Sequence, residues 1–62
     1  MEQPKELDCV LLDDGVEATV LETYRNGDLL LEREVATTEA YPNYEQFASN
    51  VSHVIKITYH SN

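Results

Sequence analysis

Apolar residues along this chain gather into short runs, each bounded by residues that turn the backbone. Leu7 to Leu12 is a mostly apolar run of strand length that stops at Asp13-Asp14-Gly15. An Asp-Gly pair predicts a tight turn, because Gly tolerates positive φ and the Asp side chain bonds to its own backbone. Val16 to Tyr24 follows, with Val16, Ala18 and Val20 on one face and Glu17 and Thr19 on the other. The alternation breaks at Leu21, Glu22 and Thr23, as it does where a bulge re-aims a strongly bent strand. A helix would also place Val16, Val20 and Tyr24 at spacings of four. The β-branched content and the flanking turns favour the strand.

Arg25-Asn26-Gly27-Asp28 holds an Asn-Gly pair, the strongest short-range hairpin signal, and predicts a third strand over Leu29 to Val35. Ala36 to Asn43 is the least regular stretch. Tyr44 to Ala48 is read as a short fourth strand, in competition with a helical turn because Asn43 and Gln46 have capping-box spacing. Ser49 to His53 suits a single 3₁₀ turn, and Val54 to Tyr59 alternates as a last strand. Five short strands joined by turns predict an all-β domain, a small closed or partly closed barrel. The expected organisation is a polar lead-in over 1–6, one domain over 7–59 and a tail over 60–62.

The opening Leu7-Asp8-Cys9-Val10-Leu11-Leu12 and the segment Gly15-Val16-Glu17-Ala18-Thr19-Val20-Leu21-Glu22-Thr23-Tyr24 carry a resemblance. In these segments the chain resembles SH3-like barrels, particularly the KOW-type hairpin and short acidic bacterial proteins of the same layout. The resemblance spans residues 7 to 59. It implies a five-stranded SH3-like barrel with a 3₁₀ turn before the last strand. Ala18 stands where the KOW pattern usually has a second Gly, and the basic residues of RNA-binding KOW proteins are missing. With no Trp for an aromatic groove, binding of Pro-rich ligands is not implied either.

Sixty-two residues make one small domain, which buries only about 60% of the surface of its unfolded chain and has little room for a deep cleft. Twelve acidic and four basic residues give a net charge of −8. Lys5, Arg25, Arg33 and Lys56 form no run, so neither the phosphates of nucleic acid nor an anionic membrane finds a partner here. The charge suits solubility or a basic partner. Cys9 is alone and expected in the core, which excludes an internal disulfide. Without an apolar run near 18 residues or a leader-like start, the expected location is the cytoplasm.

Several constellations invite chemistry. Asp13 and Asp14 with Asp28 or Glu17 would hold a hard cation if the two turns converge, but the ordered calcium-loop spacing is absent and turn chemistry accounts for them. Cys9 with His53 or His60 is the sole route to nucleophilic catalysis, and it lacks an activating third group. Zinc-type spacing is also missing. The reading is therefore no enzyme, no metal and no cofactor.

Tyr41, Tyr44 and Phe47 cluster near Pro42. Phe47 is expected in the core and Tyr44 narrowly so, leaving Tyr41 as first choice for an exposed contact. Glu32, Arg33 and Glu34 look like charges guarding a strand edge. The function that follows is a non-enzymatic, acidic protein-interaction module, a monomer or weak homodimer. Its partner is another protein, met through Tyr41, Tyr44, Glu17, Glu22, Glu32 and Glu34. The alternative is an antitoxin, immunity or anti-defence inhibitor whose carboxylates imitate nucleic acid and block a basic, nuclease-like protein.

Overall fold

The computed structural model describes residues 3–35, 40 and 43–61. These form β1 (Cys9–Leu12), β2 (Glu17–Thr23), β3 (Asp28–Val35), β4 (Asn43–Asn50), a 3₁₀ turn (Val51–His53) and β5 (Val54–Tyr59). The strands make one antiparallel sheet in the order β4-β3-β2-β1-β5. Among the described residues the ladder does not close, and β4 and β5 are its two edges.

Turn chemistry sets the hairpins. Gly15 and Gly27 sit at φ +88° and +94°, conformations that cost a residue with a Cβ. Asp14 Oδ1 accepts the Val16 N–H and Asn26 Oδ1 accepts the Asp28 N–H, each at 3.0 Å. Both are side-chain mimics of a backbone turn. The break in the pattern of β2 is a register shift: Val20 faces Leu31, whereas Glu22 faces Leu30. Leu21 is the extra residue of a bulge, which sets Glu22 opposite Leu30 instead of on the core face beside Val20.

Period-2 alternation then sorts the side chains. Val10, Leu12, Ala18, Val20, Leu29, Leu31 and Val54 form the buried core, with Phe47 from β4 and Ile57 from β5 packed against it. All five strands thus contribute to one apolar face. No second layer covers that face among the described residues, so the sheet wraps around its own core while its hydrogen-bonded ladder stays open.

Four expectations need correction. The first strand begins at Cys9 and not at Leu7, because Leu7 has φ +70° and the Asp8 carboxylate turns back to accept the Lys5 N–H at 2.9 Å. Cys9 is half-buried, since Val10 and Leu12 take the inward positions. Tyr44 is 59% exposed instead of closing the core. Its cross-strand neighbour is Glu34, one residue out of phase with the Leu31–Phe47 pair that faces the core. β3 is an inner strand, paired on both sides, so Glu32, Arg33 and Glu34 guard no edge. Arg33 Nη2 is 3.2 Å from Glu45 Oε1, and its guanidinium lies 5.8 Å over the Phe47 ring, within the range of a cation–π contact.

The segments around Lys5 and Ser61 meet at Asp8, which is 2% exposed. Its Oδ2 accepts from Lys5 N–H and its Oδ1 from Ser61 N–H, both at 2.9 Å, and His60 Nδ1 is 4.0 Å away. These donors, Ser61 first and Lys5 second, hold the Asp8 carboxyl below the usual carboxylate range.

Candidate functional site

On the outer face of the sheet, the pairing Cys9↔Thr19↔Glu32 runs from β1 through β2 to β3. Residues directly opposite in antiparallel strands share a face, so these three line up on the side away from the core. Glu17 lies two residues from Thr19, and Glu34 two residues from Glu32. Tyr44 is brought in from β4 by its pairing with Glu34, and Tyr59 from β5 by its pairing with Cys9. The result is a groove of about 360 Å³, whose lining includes Glu17, Glu32, Glu34, Tyr44 and Tyr59. Tyr44 and Tyr59 are 59% and 62% exposed.

Thr58 Oγ1 donates to Glu17 Oε2 at 2.6 Å and fixes that carboxylate across β1. Cys9 Sγ is 3.7 Å from Thr19 Oγ1. An acidic floor between two phenols attracts a cationic group, because each phenol supplies an electron-rich ring face and a polar tip.

The register thus brings together four of the residues singled out from sequence: Glu17, Glu32, Glu34 and Tyr44. Glu22 lies elsewhere and accepts the Tyr24 hydroxyl at 2.8 Å. That hydrogen bond, and the carboxylate charge behind it, raise the Tyr24 pKa above its ordinary value. Tyr41 lies outside the described residues. Tyr59 was not singled out, and its membership depends on being opposite Cys9.

The two turns do converge. Asp13, Asp14 and Asp28 line a common cavity of about 500 Å³ with His53 and Phe47. Asp13 Oδ2 lies 2.9 Å from His53 Nδ1, and Asp28 Oδ1 accepts from Asn50 Nδ2 at 3.0 Å. No group of three or more His, Cys, Asp or Glu among the described residues is placed to hold a metal ion. Of the catalytic set considered for Cys9, His53 Nδ1 lies at Asp13 and His60 Nδ1 lies 4.0 Å from Asp8, while Cys9 Sγ meets Thr19 Oγ1. No helix among the described residues is long and apolar enough to cross a membrane.

Comparison with known proteins gives no match: no family model, no curated protein and no solved structure is significantly similar to the chain.

Proposed function

We propose that the protein is a non-enzymatic interaction module on an SH3-like frame, acting in the cytoplasm and binding a basic protein through its outer groove. The observation that carries this reading is the convergence of Glu17, Glu32, Glu34 and Tyr44 on that groove, with Tyr59 on its opposite wall. The frame is supported by the strand order, the bulge in β2 and the 3₁₀ turn ahead of β5. The net charge of −8 steers a basic surface toward the protein. Tyr44 and Tyr59 then bury ring area at small conformational cost, and the carboxylates orient the incoming cation.

The test is capture from a cell lysate after nuclease treatment, with the wild type and with a Glu17→Gln/Glu32→Gln/Glu34→Gln variant. A basic protein retained by the first and lost by the second is expected, with further loss on Tyr44→Ala. The same proteins retained by both would overturn the groove as the binding surface. If added duplex DNA competes the partner away and that partner is a nuclease, the charge-mimicking inhibitor becomes the better description.

A further inference from the structure

The two edges of the sheet are built differently. β5 pairs with β1 through a register that shifts between Cys9 and Val10 and again between Leu11 and Leu12, and it carries Lys56. Bulges and lysines are common means of discouraging a further strand. β4 pairs with β3 without a shift, from Asp28↔Asn50 to Val35↔Asn43. It holds no proline, and its single charged residue, Glu45, is paired with Arg33. One edge is guarded and the other is not.

The direction of the backbone groups on β4 follows from the ladder. Tyr24 N–H donates to Asp28 C=O, so Asp28 faces β2; Val51 N–H donates to Gly27 C=O, so Gly27 faces the other side. In antiparallel pairing this direction alternates residue by residue. Leu29, Leu31 and Arg33 therefore bond toward Ser49, Phe47 and Glu45, their partners in register. The N–H and C=O groups of Tyr44, Gln46 and Ala48 point out of the sheet, and among the described residues no strand pairs with them.

The cavity that holds Asp13 and Asp14 lies along this edge. It touches Phe47, Ala48, Ser49 and Asn50 in succession. Because successive strand residues face opposite ways, a space that meets four in a row lies beside the strand and not over one face. Its lining also includes Asp13, Asp14, Asp28 and His53. Three carboxylates and one histidine leave it negative even when His53 is protonated.

We propose that β4 is an acceptor edge, taking an extended segment of a basic protein as a sixth strand, with an arginine or lysine of that segment seated among Asp13, Asp14 and Asp28. This rests on the interaction-module reading but uses a different surface from the outer groove. Backbone hydrogen bonds supply affinity in such strand addition, and the side-chain pocket supplies specificity. A second copy of this chain suits the edge poorly, since its β4 brings no free positive charge to the cavity and two chains of charge −8 repel.

The experiment titrates the whole protein with a capped peptide alternating arginine and valine, and with the same peptide carrying glutamate for arginine, read by fluorescence anisotropy. The arginine peptide binds and the glutamate peptide does not. Ala48→Pro deletes one outward N–H, and Ala48→Lys puts a guarding charge on the edge. Each weakens binding at least tenfold while the circular dichroism spectrum is unchanged. Should Ala48→Pro disturb the fold, Ala48→Lys and Asp14→Asn decide, the latter keeping the turn acceptor and losing the charge. Absence of binding, equal binding by the Ala48→Lys and Asp14→Asn variants, or a dimer broken by Ala48→Lys would each overturn the acceptor edge. Binding lost in the Glu17→Gln/Glu32→Gln/Glu34→Gln variant but kept in the edge variants would also overturn it, while leaving the groove reading intact.

Discussion

Along β3, neighbouring residues serve two regions of different character. Leu29 and Leu31 point inward and are buried, Leu31 completely, whereas Glu32 and Glu34 point outward into the groove with Tyr44. The inward positions join the core cluster. Beside the outward ones, Glu17 of the neighbouring β2 is held by Thr58 Oγ1. The difference teaches that folding and recognition are carried by alternate residues of the same strand, so substitutions one position apart should separate them.

The strongest way to break that comparison is Leu31→Ala beside Glu32→Ala. Burying a leucine and then truncating it costs about 2–5 kcal/mol, a large share of the stability of so small a domain. The Glu32→Ala change is expected within about 0.5 kcal/mol of wild type. Urea titrations followed by circular dichroism check this, and similar losses for both would erase the distinction between faces.

Next in size is Gly27→Ala. A one-residue slip of register would exchange the two faces, and Gly27 holds the β2–β3 hairpin that sets it. A Cβ there would lie 3.2 Å from Val51 Cγ2 on top of the strained φ, whereas at Gly15 it meets nothing within 4 Å. Both changes pay about 1–2 kcal/mol for the left-handed backbone, and Gly27→Ala pays more. Thermal midpoints should fall in that order.

Asp8 sharpens the comparison from the other side, as a carboxylate that is structural. Its native pKa is lowered by the Ser61 and Lys5 N–H groups, so its contribution is complete above the unfolded value of about 3.9. That contribution is lost as pH falls through the lowered native value. Acid titration of stability should show this loss in wild type and a flatter limb in Asp8→Asn, while Glu32→Gln leaves the limb in place.

The smallest effect on stability is expected from Glu32→Gln/Glu34→Gln, within about 0.5 kcal/mol. The same pair should slow association with a basic partner and reduce its salt dependence, as read by stopped-flow mixing at two ionic strengths.

Much of this is legible in the sequence where the signal is local. Asp14-Gly15 and Asn26-Gly27 mark the turns, the disturbed pattern at Leu21 marks the bulge, and Ser49 to His53 marks the 3₁₀ turn, which the structure narrows to Val51–His53 with Asn50 Oδ1 accepting the Ser52 N–H. Asp8 misleads because one polar residue in an apolar run looks like ordinary alternation. Its role depends on Ser61, 53 positions away. The acidic residues could be named but not grouped: that Glu17 joins Glu32 and Glu22 does not is decided by the β2–β3 register. Tyr59 is invisible for the same reason, since only its pairing with Cys9 places it at the groove. The unequal edges also appear only when the strand order is known.

The most direct test of the account is a nitrogen-15 chemical-shift map of the protein titrated with the arginine–valine peptide. The account predicts shifts gathered along Tyr44, Gln46 and Ala48 of β4 and at Asp13, Asp14 and Asp28, with Lys56 and Ile57 of β5 unmoved. Shifts centred on β5, or no saturable shifts at all, would contradict it.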